Sequence, residues 1–156
     1  MTTELKRILL VEDNQKDIDL ALAALAENQL ADEVVVVRDG EQALDYLHQR
    51  GNFRLRARGN PAVVLLDLKL PRVDGLEVLT RIKEDPQLKV IPVVMLTSSR
   101  EEVDLATSYQ RGVNAYVVKP VTFARFVDAL RELGAFWAEI NEPPPGSIGR
   151  KANTRA

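Results

Sequence analysis

The chain has 156 residues, of which 46% are hydrophobic and 28% are charged, a composition that suits one globular domain with a sizeable core. Its formal net charge of −2 gives no global field that would attract nucleic acid or an anionic membrane surface. The absence of cysteine excludes disulfides, thiolate metal sites and cysteine nucleophiles. Because the sequence shows neither a signal peptide nor a stretch able to span a bilayer, we expect a cytoplasmic protein.

The first half of the chain alternates short apolar runs, typical of buried strands, with segments of helical periodicity. In chain order these are the strand Arg7–Val11, the helix Gln15–Glu27, the strand Val34–Val37 and the helix Glu41–Arg50. Asn14 is expected to cap the first helix, because its side chain can accept a backbone N–H.

A loop, Gly51–Asn60, follows the second helix and carries three arginines, Arg54, Arg56 and Arg58. Charged loops are usually solvated, so we expect these side chains to lie in water. Docking against an acidic kinase surface is the alternative role for this loop.

The second half of the chain repeats the alternation. In chain order it contains the strand Ala62–Asp67, a helix through Leu76, Leu79 and Ile82, the strand Val93–Leu96, the helix Glu101–Arg111, the strand Ala115–Val118 and a helix from Thr122 to about Trp137. From Glu142 onward, consecutive prolines and few apolar residues predict disorder. We therefore expect a domain over residues 1–140 and a basic, proline-rich, disordered tail over residues 141–156.

Five strands that alternate with five helices predict an α/β fold, a doubly wound five-stranded parallel sheet of the (βα)5 type. Right-handed crossovers favour the flavodoxin-like strand order 2-1-3-4-5. In such sheets the chemistry lies at the carboxyl ends of the strands.

The residues at these strand ends are polar. Glu12 and Asp13 follow the first strand, and Asp67, Thr97 and Lys119 end the third, fourth and fifth. Because these strands are neighbours in the predicted order, their side chains should converge on one cleft. Three clustered carboxylates repel one another, so they need protons or a cation to lie close together. A set of oxygen donors without histidine or cysteine favours Mg²⁺.

Such a site can support phosphoryl transfer, which depends mostly on positioning and electrostatics. A carboxylate would attack phosphorus, Lys119 would neutralise one phosphoryl oxygen, and the Thr97 hydroxyl would donate to another. The joint placement of these groups predicts a carboxylate phosphoacceptor.

Four segments, LLVEDN, LLDLKLPRVDGLEVL, MLTSS and AYVVKP, carry a family resemblance. Over residues 5–137 the chain resembles the receiver domains of two-component response regulators. The resemblance implies that Asp67 is the phosphoacceptor for a sensor histidine kinase, and that the domain is not an enzyme with an external substrate. No output domain is recognisable, so a single-domain regulator is expected.

The resemblance also implies the roles of the surrounding residues. Mg²⁺ would be held by Glu12, Asp13, Asp67 and the backbone carbonyl of Lys69. Thr97 and Tyr116 match the switch hydroxyl and the switch aromatic residue, and Lys119 matches the lysine that contacts the phosphoryl group. The Lys119–Pro120 bond matches a cis peptide bond, for which proline lowers the cost.

In finer features the chain also resembles the regulators that pair with bacterial and cyanobacterial phytochromes. These features are the long 51–60 loop, the LKLPRVDG and TSSREE segments and the pair Phe136–Trp137.

The last helix carries more apolar residues than one core-facing stripe needs: Phe123, Phe126, Val127, Leu130, Leu133, Phe136 and Trp137. We therefore expect a homodimer through the fifth strand and the last helix, with a deeply buried helix as the alternative.

Three other functions remain possible for this fold. An FMN-binding flavodoxin-like protein would need a hydroxyl- or glycine-rich phosphate loop, whereas Glu12, Asp13 and Asn14 occupy that position here. A metal-dependent phosphohydrolase would need a means of enclosing its substrate. A pseudo-receiver, acting only as a binding module, would not need all five polar groups.

Overall fold

The fold is a five-stranded parallel sheet with helices on both faces. In a computed structural model, residues 5–27, 29–119 and 123–148 are described. The strand order is β2-β1-β3-β4-β5, with every neighbouring pair parallel, so the predicted topology is confirmed. The strands are β1 Ile8–Val11, β2 Val34–Val37, β3 Val63–Leu66, β4 Val93–Thr97 and β5 Ala115–Val118.

The five expected helices are present, close to their predicted bounds. They are α1 Gln15–Ala26, α2 Gly40–His48, α3 Gly75–Glu84, α4 Glu102–Gln110 and α5 Phe123–Gly134. The last helix continues as a π-helical segment, Ala135–Ile140, and the predicted N-cap Thr122 lies outside the described residues. Across the described ranges, no helix has both the length and the apolar character needed to cross a membrane.

Side chains at the helix starts fix where the chain leaves each strand. Asn14 accepts the backbone N–H of Asp17 at 3.0 Å, which confirms it as the cap of α1. Asp39 and Asp74 cap α2 and α3 in the same way. Only three residues separate β1 from α1 and two separate β2 from α2, whereas a loop of eight residues joins β3 to α3.

The core has two layers because successive side chains of a strand point to opposite faces of the sheet. Leu9 and Leu66 pack in the cluster formed with α2 and α3, whereas Ile8 and Leu65 pack in the cluster formed with α1. Every residue of β1, β3 and β4 is buried. These central strands form a rigid support for the residues at their carboxyl ends.

The 51–60 loop is organised by Arg56, which is only 4% exposed. Its guanidinium donates hydrogen bonds to the carbonyl oxygens of Tyr46, Ala57 and Gly59 at 2.7, 2.6 and 3.0 Å, and lies 4.6 Å from the Tyr46 ring centroid. The expectation that all three arginines are solvated is therefore wrong for Arg56, while the other two are exposed. Its burial is tolerated because its donors bind backbone carbonyls at the end of α2 and within the loop itself.

Residues 141–148, expected to belong to a disordered tail, lie against this loop. The Asn60 N–H donates to the Gly146 carbonyl at 3.0 Å, and the Ile148 N–H donates to the Asn60 carbonyl at 2.9 Å. Ile148 also packs against the core cluster beneath α2 and α3. One apolar residue and two backbone hydrogen bonds thus hold a segment that its composition alone marks as disordered; residues 149–156 lie outside the described ranges.

We predict that Arg56→Ala lowers the free energy of unfolding by about 2 kcal/mol, because it leaves several carbonyl oxygens without their donor. The matched control is Arg58→Ala in the same loop, an exposed position where we expect a change below about 0.5 kcal/mol. Urea denaturation followed by circular dichroism measures both. Equal losses in the two variants would show that Arg56 does not organise the loop.

Candidate functional site

The site lies at the carboxyl edge of the sheet, where β1, β3, β4 and β5 are consecutive neighbours. Glu12 and Asp13 follow β1, and Asp67 follows β3. One carboxylate oxygen from each of these three residues, the acidic triad, lies within 4.8 Å of the others. The predicted convergence of the carboxylates is therefore present in the structure.

Backbone contacts hold the triad in place. The Glu12 N–H donates to the Val37 carbonyl at 3.0 Å, and the Asp67 N–H donates to the Val11 carbonyl at 3.1 Å. Behind Asp67, α3 starts so close that a Cβ at Gly75 would collide with the Asp67 carbonyl oxygen. Glycine at this position lets the loop after β3 fold tightly against the start of α3.

Lys119 reaches into the triad from the end of β5. Its ammonium nitrogen lies 2.7 Å from Glu12 Oε1, 2.8 Å from Asp17 Oδ2 and 3.4 Å from Asp67 Oδ2. The contact with Asp67 is the longest of the three, so Glu12 and Asp17 are the nearer partners of Lys119.

Burial and charge shift two pKa values in this cluster. Burial raises the pKa of Glu12 to about 7, and the negative charge of Asp67 adds to the effect, while the hydrogen bond from Lys119 opposes it. Burial alone would lower the pKa of Lys119, but hydrogen bonds to Asp17 and Glu12 and the charge of Asp67 raise it instead. Lys119 therefore stays an ammonium ion at neutral pH, and Glu12 is the carboxylate that exchanges a proton there.

The donor set of the triad fits a hard divalent cation. Its oxygens carry high negative charge at close range, and among the residues that the structure describes Lys119 is the one ammonium group paired with them. Asp13 is exposed and Asp67 is partly exposed, so an ion could reach both from solvent. Lys69, whose backbone carbonyl the family resemblance names as a further ligand, is an exposed residue two positions after Asp67.

The predicted switch residues are connected through Ser99. Thr97, which is 1% exposed, accepts the Ser99 N–H on its hydroxyl oxygen at 3.3 Å. The Tyr116 hydroxyl donates to the Ser99 carbonyl at 3.1 Å, and the Ser99 hydroxyl donates to Asp104 of α4 at 2.6 Å. A hydrogen-bonded path thus runs from the site to β5 and to the start of α4.

Sequence reasoning missed Asp17 and Ser99. Asp17 lies in the first turn of α1, three residues after the cap Asn14, and an acid there is common because it favours the helix dipole. Ser99 is one of two adjacent serines after Thr97, and the sequence does not tell which one links to α4. The expected cis bond between Lys119 and Pro120 lies outside the described residues.

A doubly wound sheet with a carboxylate triad and a lysine at its carboxyl edge defines a metal-binding, phosphoacceptor class of domain. Comparison with protein families matches residues 8–131 to the response regulator receiver domain. The chain therefore belongs to the response regulator receiver family.

Similar proteins agree with this assignment. Response regulator Rcp1 of Synechocystis sp. is 40% identical over 134 residues, which cover 86% of this chain and 90% of Rcp1. The crystal structure of the phosphorylated cyanobacterial phytochrome response regulator RcpA is 41% identical, with a TM-score of 0.81, covering 92% of this chain and 99% of RcpA. The bacteriophytochrome response regulator AtBRR is 62% identical, with a TM-score of 0.70, covering 90% of this chain and all (100%) of AtBRR.

Membership of the response regulator receiver family establishes the general function of the chain. The chain is a phosphoacceptor signalling domain rather than a catalyst, and its partner is a sensor histidine kinase. Receiver domains bind a divalent metal ion, and one structure of Rcp1 is its Mn²⁺-bound form. Membership of the receiver family does not favour the FMN-binding and phosphohydrolase alternatives. The acidic triad also takes the place of the phosphate loop that a flavin carrier would need.

We predict that the metal-free protein loses stability as pH rises from 4.5 to 7. The folded-state pKa of Glu12 is raised from 4.5 to about 7, so in this window the folded state binds more protons than the unfolded state. The free energy of unfolding should therefore fall with rising pH, by roughly 3 kcal/mol over the whole window.

Urea denaturation in EDTA at a series of pH values measures this slope. Glu12→Gln should flatten it, while Glu84→Gln, an exposed acid on α3, should leave it unchanged. If wild type and Glu12→Gln have the same slope, the proton is not on Glu12.

Proposed function

We propose that Asp67 accepts a phosphoryl group from a phytochrome-type sensor histidine kinase in a reaction that uses Mg²⁺. One observation carries the proposal: Asp67 is the member of the acidic triad that both contacts Lys119 and keeps its side chain partly exposed. Its side chain is 12% exposed, which leaves an oxygen reachable from solvent. Within the described residues, Lys119 forms its ion pairs with Glu12, Asp17 and Asp67, and Glu12 is buried, so neither Glu12 nor Asp13 combines these properties.

The surrounding residues supply the electrostatics that phosphoryl transfer requires. Lys119 would pair with a phosphoryl oxygen, and the Thr97 hydroxyl would exchange its bond to the Ser99 N–H for a bond to another. Glu12, Asp13, Asp67 and the Lys69 carbonyl would hold Mg²⁺. When bound, the ion would supply positive charge that offsets the repulsion between the carboxylates and the incoming phosphoryl group.

Similarity supports a phytochrome-type kinase as the partner. The names of AtBRR and RcpA tie those proteins to bacterial and cyanobacterial phytochromes, at 62% and 41% identity to this chain. A histidine kinase takes its phosphoryl group from ATP, so we place the reaction in the cytoplasm.

We propose that a partner protein recognises the phosphorylated state at the surface formed by α4 and β5. The helix α4 exposes Val103, Leu105 and Tyr109, and within the described residues Ser108 is its one buried position. With so little apolar anchoring, α4 can shift at small cost. The path through Ser99 would carry the movement of Thr97 to this helix.

We further propose that the chain forms a homodimer through β5 and the last helix. All four residues of β5 are half-buried, and Phe136 and Ile140 of the π-helical segment Ala135–Ile140 are 46% and 66% exposed. Beside them lies an apolar cavity of about 270 Å³, whose lining includes Val117 and Trp137. A second copy would cover these groups with symmetric contacts.

We predict that Asp67→Asn abolishes phosphorylation, because an amide oxygen is too weak a nucleophile to attack phosphorus. Wild type incubated with acetyl phosphate and Mg²⁺ should gain the mass of one phosphoryl group, and EDTA should prevent the gain. Intact-mass spectrometry measures this, with Asp19→Asn, an exposed acid on α1, as the control that should be labelled like wild type. Full labelling of Asp67→Asn would refute the assignment.

We predict that Ile140→Asp weakens the dimer at least tenfold, because it places a charge in an apolar contact. Leu55→Asp, at an equally exposed apolar position on the 51–60 loop, should leave association unchanged. Analytical ultracentrifugation of both variants and of wild type, with and without phosphorylation, measures the effect. A wild type that stays monomeric at micromolar concentration in both states would exclude the homodimer.

A further inference from the structure

We infer that Asp17 is a positioning residue that holds the Lys119 ammonium back from Asp67 in the unphosphorylated protein, and so slows phosphorylation. The inference rests on the proposed function, because it assumes that Lys119 pairs with a phosphoryl group on Asp67. Asp17 itself contacts neither that group nor the metal in this account. It acts through the lysine.

The distances show where the ammonium is held. Lys119 Nζ lies 2.8 Å from Asp17 Oδ2 and 2.7 Å from Glu12 Oε1, lengths typical of strong charge-assisted hydrogen bonds. The distance to Asp67 Oδ2 is 3.4 Å, well beyond that range. Two of the three ammonium protons are therefore directed away from the phosphoacceptor.

The backbone keeps the Asp17 carboxylate in position. The Asp17 N–H donates to Asn14 Oδ1 at 3.0 Å, which fixes this residue in the first turn of α1. The positive end of the helix dipole favours the ionised carboxylate there. The Asp17 carboxylate thus reaches the lysine from a backbone position set by the helix cap of α1, while Asp67 faces the lysine from the end of β3.

Of the two short contacts, the one to Asp17 can open at the smaller cost. The Asp17 side chain is 29% exposed, so water can replace the ammonium when it leaves. The Glu12 side chain is 4% exposed and has no comparable access to water. A phosphoryl group on Asp67, with more negative charge than a carboxylate, would draw the ammonium across, and Asp17 is the partner it would release.

The test compares Asp17→Asn with wild type in the full chain. The amide removes the charge but keeps the size, so Lys119 should lie closer to Asp67, and labelling by acetyl phosphate in Mg²⁺ should be about threefold faster, as expected for loss of a partly exposed ion pair. Asp17→Glu should return the rate toward wild type. The matched control, Asp19→Asn, lies on the same helix and removes one carboxylate from an exposed position, so its rate should equal that of wild type.

A second measurement separates positioning from folding. The NMR resonances of the Lys119 side chain should shift in wild type when beryllofluoride, an analogue of the phosphoryl group, is added with Mg²⁺. In Asp17→Asn without beryllofluoride, the same resonances should already lie part of the way toward that position. A loss of stability alone would not move them in this direction.

The outcomes are distinct. An Asp17→Asn rate equal to or below that of Asp19→Asn, or Lys119 resonances that do not move toward the beryllofluoride position, would overturn the role of Asp17. A wild type that gains no phosphoryl mass at Asp67 would instead overturn the proposed function. Faster labelling together with the shifted resonances would support both.

Discussion

The site depends on the balance between one ammonium group and the carboxylates around it. Lys119 contacts Glu12, Asp17 and Asp67 within 3.4 Å, and Asp13 completes the triad beside them. Burial raises the pKa of Glu12 to about 7, and the negative charge of Asp67 adds to the effect, although Lys119 opposes it. The excess of negative charge over the one ammonium group makes the site attractive to a divalent cation, and with the cation present, to a phosphoryl group.

The fold maintains this unfavourable arrangement by holding the strand ends rigidly. The central strands β1, β3 and β4 are buried on both faces, so the residues that follow them cannot move apart to relieve the repulsion. The outer parts of the site are less constrained. In particular, α4 exposes three large apolar side chains and is linked to Thr97 by hydrogen bonds through Ser99, which makes it the element best able to respond to a change of charge at Asp67.

The sequence alone predicted the sheet and the convergence of the carboxylates, because apolar runs mark buried strands and strand order places Asp67 beside Glu12. It did not predict contacts that depend on the direction of a single side chain. Asp17 shows this, since an acid in the first turn of a helix usually faces solvent. Arg56 shows it as well, because loop composition does not reveal carbonyl oxygens arranged around one guanidinium. The packing of Ile148 against the core was likewise not predicted, because this residue lies in a proline-rich segment.

The most direct test of this account is a crystal structure of the protein with Mg²⁺ and beryllofluoride. The account predicts beryllofluoride on Asp67, the ion among Glu12, Asp13 and Asp67, and Lys119 Nζ within about 3 Å of a fluorine. The distance from Lys119 to Asp17 should then exceed the present 2.8 Å. Beryllofluoride on another carboxylate, or Lys119 still bound to Asp17 and remote from the fluorines, would contradict it.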